Sequence, residues 1–231
     1  MDDGSTPPDD GNSPPDDAVR ESQEPRRALY IGSSIAHHCD INALEEEFCL
    51  EIITRKAYGS VKNQTHRFPR KNTAEITRRE MERLRPSILV LEASPVDTNE
   101  LSKQMGKLPE AIIYEKARES SRNVLKTAER ALRDHPELEK VIITERPPHY
   151  GGEIARMITE IANRELYRRI AGKSGKIHLG EHSLECVGYL RAARYGMPEK
   201  QYNYDGFHLR GPDGKQAYTS SIKRILRQAN I

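Results

Sequence analysis

The chain has 231 residues, of which 35% are hydrophobic and 31% charged, with three cysteines and no tryptophan. That length buries a full core as one sizeable domain or two small ones, and no run of about 20 apolar residues offers a membrane span. The net charge of +2 at neutral pH by itself excludes neither a small substrate nor a polyanionic partner.

The charge is unevenly placed. Residues 1–27 hold eight Asp or Glu and three Lys or Arg among Pro-Pro and Asp-Asp pairs. Such a stretch buries too little apolar surface to offset its ordering entropy, so it reads as a disordered acidic tail. Its charge of −5, set against +2 overall, leaves +7 on residues 28–231. The first residues are acidic and lack an apolar stretch, unlike a signal peptide. Cys39, Cys49 and Cys186 are an odd number at spacings that suit no disulfide framework. Reduced thiols and an intracellular setting are expected, with no membrane partner.

From Ala28 onward, short apolar runs alternate with helical patterns. The predicted strands are 28–31 (ALYI), 50–55 (LEIITR), 87–93 (SILVLEA), 140–144 (KVIIT) and 176–179 (KIHL). Residues 110–134 place Ile113, Ala117, Val124, Ala128 and Ala131 at helical spacing. Residues 153–171 carry Ile154, Met157, Ile158 and Ile161, the pattern of one helix face. The C-terminal segment repeats it with Tyr218, Ile222, Ile225, Leu226 and Ala229. Strands apolar on both faces and separated by helices imply a parallel sheet covered on each side. The expectation is one α/β domain over 28–231, a three-layer α/β/α sandwich on a five-stranded parallel sheet.

In such a fold the carboxyl ends of the strands share one edge, where ligands bind. Three loops meet there: Gly32–Ser34, Ala57–Ser60 and Ser94–Asp97. The paired serines after the first strand admit two readings. Ser34 caps a helix, or it is a nucleophile and requires a base elsewhere. Such a base stands in YNYDGFHLRGPDG (202–214), where His208 follows Asp205 by three residues. A near-neutral histidine takes a proton from a serine hydroxyl, and a carboxylate on its other nitrogen holds the tautomer. As a plain turn, the Asp-Gly pair would be unremarkable loop chemistry.

YIGSSI and YDGFHLRGPDGKQAY together resemble the first and last motifs of the SGNH, or GDSL-type, hydrolases, over Ala28 to Ala229. The resemblance implies a flavodoxin-like sandwich and an esterase with Ser34 as nucleophile, His208 as base and Asp205 as its orienting partner. It also implies that the amides of Ser34 and Gly59 stabilise the oxyanion, that no cofactor is needed, and that the substrate is a small ester. Esterase domains of this kind occur in the first open reading frame of some animal retrotransposons, and a triad-less variant of the fold binds RNA. Two positions depart from the family pattern. Ser33 stands where the family has Asp, and Val96 stands where the third block, Ser94-Pro95-Val96-Asp97, has its oxyanion-binding Asn. One lost oxyanion donor costs about 10²–10³ in rate, so a slow enzyme is expected. Ser94 or Asn99 is a candidate substitute, and Ser94, Asp97 and Asn99 are candidate contacts for substrate or nucleic acid.

A different class of function has its own signal. RKAYGSVKNQTHRFPRKN (55–72) interleaves Arg55, Lys56 and Arg67 with Tyr58, His66 and Phe68. Positive charge beside planar side chains suits RNA or single-stranded DNA, although most such runs are solvated faces. Residues 191–200 add Arg191, Arg194 and Lys200 near Tyr189 and Tyr195. No metal is expected. Four consecutive residues, His37 to Asp40, diverge by about 100° each on a helix and cannot face one ion. His182 and Cys186 lack a second pair at zinc-like spacing. Arg146 and His149, after the fourth strand, are candidates for a substrate contact or for a rigid loop.

Overall fold

Ala28–Gly32 (β1), Leu50–Thr54 (β2), Ile88–Glu92 (β3), Lys140–Thr144 (β4) and Ile177–Gly180 (β5) form one parallel sheet in the order β2-β1-β3-β4-β5. The computed structural model describes residues 27–39, 41–54, 73–147, 153–173, 175–182, 186 and 212–231. Each strand lies within one residue of its predicted bounds at either end. The acidic segment 1–26 is outside the described residues.

Alternation along the strands builds the two covered faces. Ala28 and Tyr30 point to one side, with Ile88, Val90 and Ile142; Leu29 and Ile31 point to the other, with Leu89, Leu91, Val141 and Ile143. The first face is packed by Ser34–His38 (α1), Leu44–Phe48 (α2) and Pro212–Gln228 (α7), through Ile35, Leu44, Phe48, Tyr218, Ile222 and Leu226. The second is packed by Thr73–Leu84 (α3), Glu110–Asp134 (α5) and Glu153–Ile170 (α6), through Ile76, Met81, Val124, Ala128 and Leu166. Pro95–Ser102 (α4) follows β3, and its Leu101 joins a smaller cluster with Ile113, Ala117, Ile158 and Ala162. The three-layer expectation holds.

One predicted face is turned. On α6 the buried residues are Ala155, Ile158, Thr159, Ala162, Glu165 and Leu166, while Ile154 is 43% exposed. Alanine at 155 and 162 lets α6 lie close against its neighbours, and Thr159 donates to the Ala155 carbonyl while meeting Thr98 Oγ1 at 3.1 Å. Small and hydrogen-bonding residues carry this contact, so the larger aliphatic residues mark its margin. Helix α3 has few apolar residues, but a buried Glu80 is paired with Arg79 and Arg83.

Sheet order positions the site. From β1 the chain goes to β2 on one side, then crosses back to β3 on the other. The carboxyl ends of β1 and β3 therefore flank the reversal of strand order, the crevice where open α/β sheets take their ligands.

Candidate active site

At the end of β1 the register pairs Ile31 with Leu91, so the turn after Gly32 runs beside Glu92. A methyl group on Gly32 would lie 2.4 Å from Tyr30 Cε1, 2.9 Å from Ala36 Cβ and 3.0 Å from Glu92 Oε2. Only glycine fits there. Ser33 is the N-cap of α1, with extended backbone (φ −84°, ψ −172°), and its Oγ accepts from the Ile35 amide at 3.2 Å. The Ser33 carbonyl accepts from the His37 amide at 3.1 Å. Ser34 opens the helix and is 5% exposed. Capping thus falls to Ser33 rather than to Ser34, which is the next residue on, just past the carboxyl end of β1.

Ser33 has a partner that sequence reading missed. Its amide donates to Glu92 Oε2 at 2.6 Å and its hydroxyl to Oε1 at 2.7 Å. Glu92 is 2% exposed, at the end of the otherwise aliphatic β3. Tyr30 donates to the same carboxylate at 3.5 Å. The Tyr218 hydroxyl also stabilises the charge, without reaching hydrogen-bond geometry. Burial raises the Glu92 pKa, and the Ser33 bonds oppose that rise. Burial, with the Glu92 charge, also holds the Tyr30 and Tyr218 hydroxyls far above the usual phenol value. Where the Gly-Asp-Ser motif has its aspartate, this chain has a serine that donates to a carboxylate from the neighbouring strand.

After β3, Ser94 caps α4, its Oγ accepting from the Val96 amide at 3.2 Å. Val96 is buried in the first turn, and Asp97 is 4% exposed. Asn99 is half-buried, and its carbonyl accepts from Ser102 Oγ. Behind this turn stands Arg146, with no exposed surface. It donates through Nε to the Ser94 carbonyl at 3.2 Å, through Nη1 to Ser121 Oγ at 2.9 Å and through Nη2 to Ser120 Oγ at 2.7 Å. Burial lowers its pKa to about 10 while Asp97 pulls it upward, so it is a cation at neutral pH. Of the two roles considered for Arg146, the structure shows the rigid one.

Gly59, Arg55, Lys56 and Arg67, the basic segment at 191–200, His149, Asp205 and His208 lie outside the described residues. The helix that follows Asp205 and His208 in sequence, α7, is well anchored. Thr219 of α7 donates to the Cys39 carbonyl at 2.6 Å, at the far end of the helix that begins with Ser34. Lys223 and Arg227 pair with Glu47 of α2 at 2.5 and 2.9 Å. Arg224 donates to the Glu181 carbonyl at 2.8 Å. His182 Nδ1 and Ser221 Oγ share a hydrogen bond at 3.1 Å, and the His182 amide donates to Glu145 at 2.9 Å. Burial lowers the His182 pKa to about 4, so the ring is neutral. Cys186 is buried too. No group of three or more His, Cys, Asp or Glu among the described residues is placed to hold a metal ion. No helix among them is long and apolar enough to cross a membrane.

Compared by sequence, the chain matches no family model and no curated protein. Its fold matches solved structures. A GDSL-like lipase from Bacteroides thetaiotaomicron is 20% identical with a TM-score of 0.53, over 88% of this chain and 89% of that one. The C-terminal catalytic domain of peptidoglycan O-acetyltransferase A from Streptococcus pneumoniae, carrying a methylsulfonyl adduct, is 16% identical with a TM-score of 0.55, over 88% and 94%. An acetylxylan esterase from Geobacillus stearothermophilus, solved as a catalytic mutant, is 11% identical with a TM-score of 0.53, over 87% and 94%. The fold is therefore that of the GDSL-like hydrolases. At these identities the likeness is one of fold, and the chemistry has to be argued from this chain's residues.

Proposed function

We propose that the chain is a serine-dependent carboxylic-ester hydrolase that works through an acyl-enzyme. The observation that carries the proposal is the position of Ser34, first residue of the helix leaving β1 at the reversal of strand order, with capping delegated to Ser33. The fold-level neighbours include a lipase and an acetylxylan esterase whose catalytic mutant replaces a serine by alanine. They support the reaction class.

In this reading Ser34 Oγ attacks the acyl carbon while His208 removes its proton, and Asp205 orients the imidazole. The amides of Ser34 and Gly59 receive the oxyanion. His208 then protonates the departing alcohol, and water, activated by the same histidine, releases the acid. The anchoring of α7 to α1 favours this assignment, because His208 is four positions before Pro212, the first residue of α7. Val96 supplies no polar group where the family pattern has Asn, so turnover is expected to be slow.

Hydrolysis of a short-chain activated ester tests the proposal, with wild type compared to Ser34→Ala and His208→Ala at matched folding. Turnover that disappears in both variants is the expected result. An inert wild type, or variants that retain its rate, would overturn the reading.

A further inference from the structure

We infer that Glu92 is the positioning residue of this site, holding Ser33 so that the turn presents Ser34 Oγ to an acyl carbon. The inference rests on the hydrolase reading. Three observations carry it.

Both oxygens of Glu92 are engaged by one residue, through its amide at 2.6 Å and its hydroxyl at 2.7 Å. A two-point contact fixes direction as well as distance, and the residue so fixed is covalently joined to Ser34. None of these bonds uses Ser34.

The turn is also built around the carboxylate. Glu92 Oε2 and the Tyr30 ring fill the space a Cβ on Gly32 would need. Ser33 could not be an ionised Asp without setting two buried carboxylates together, whereas its hydroxyl donates to one oxygen and accepts from the Ile35 amide. The side chain is thus held at both ends.

Finally, a carboxylate is an expensive way to fill this position. Ile88, Leu89, Val90 and Leu91 precede it in β3, all buried. An apolar side chain of similar volume commonly serves stability as well or better than a buried charge. What such a side chain cannot do is accept from an amide and a hydroxyl at once. Misplacing a reacting group by about 1 Å costs on the order of 10²-fold in rate. A rigid first turn is therefore worth more to the chemistry than to the fold.

The test compares Glu92→Gln, which keeps an acceptor for the Ser33 amide, with Glu92→Met, which fills the volume without one. Each is matched to wild type by thermal melting. The readouts are kcat and KM on the activated ester, the rate of Ser34 labelling by a fluorophosphonate, and the Ser33 amide resonance. For Glu92→Met we expect kcat and the labelling rate to fall together by about 10²-fold, KM to stay within about threefold, and the Ser33 amide to move upfield. Glu92→Gln should recover to within about tenfold of wild type. An active wild type whose Glu92→Met variant keeps its kcat overturns the positioning role and leaves the hydrolase reading standing. A wild type inert toward both ester and fluorophosphonate overturns the hydrolase reading, and the positioning role with it.

Discussion

Arg146, two residues past β4, donates through Nε to the carbonyl oxygen of Ser94, the N-cap of α4, at 3.2 Å. The same guanidinium holds Ser120 and Ser121 of α5, whose hydroxyls donate onward to the Ala117 and Ala162 carbonyls. Asn163 of α6 closes the arrangement, accepting from the Arg146 amide at 3.1 Å and donating to its carbonyl at 3.0 Å. One buried cation thus joins three helices beneath the β3 turn.

Arg146→Ala should therefore cost about 3–5 kcal/mol, since it removes a buried charged donor from three buried acceptors and takes away a cation that attracts Asp97. Arg146→Lys should recover only part of this, because an ammonium lacks the fork that reaches both serines. Urea unfolding of the three proteins checks the order. A lysine variant as stable as wild type would show that charge alone is needed.

Gly32→Ala should destabilise the protein by about 1–3 kcal/mol through overpacking against Tyr30 and Ala36. The displacement falls on the turn that leads to Ser34, so fluorophosphonate labelling should slow more than the melting shift accounts for. Labelling at the wild-type rate would show that the turn absorbs the methyl group elsewhere.

The buried His182 should make the protein acid-labile. Its folded pKa, about 4, is below the ordinary histidine value. The stability it contributes is complete above about pH 6.5 and is lost as pH falls toward 4, to a limit of about 3 kcal/mol. Among the described residues, the groups around it are Glu145, which accepts its backbone amide, Arg224, the Tyr218 ring and Ser221. Melting of wild type and His182→Gln between pH 4 and 7 should diverge at the acid end, with the variant flatter. Parallel curves would show that the ring is solvated enough to protonate in place.

Glu92 carries the opposite sign. Its folded pKa lies above the ordinary carboxylate value. Its contribution is thus fully present below that ordinary value and is lost as pH rises through the raised one. Wild type measured against Glu92→Gln should lose relative stability as pH climbs from about 4.5 toward neutrality. A difference that does not change with pH would show that Ser33 and Tyr30 cancel the effect of burial.

What the sequence by itself determined is the part written in local periodicity and in motif order. Runs such as ILVL in β3 specify a strand covered on both faces, and Ile113, Ala117, Val124, Ala128 and Ala131 specify the buried stripe of α5. Gly32-Ser33-Ser34 after the first strand named the edge where chemistry is proposed. The tertiary structure alone decided that Ser33, not Ser34, caps the helix and what holds it there. Glu92 is 59 positions from Ser33 and reads as an ordinary polar end to a strand, until β1 and β3 pair and bring its oxygens to the Ser33 amide and hydroxyl. Arg146 likewise reads as a loop cation until β4 sets it behind Ser94. The face of α6 was misread because alanine and threonine carry a close helix contact that hydropathy assigns to isoleucine. Periodicity records which side of an element is buried by bulk. Partners chosen by hydrogen-bond geometry across strands leave no periodic trace, because the distance that matters is in space and not along the chain.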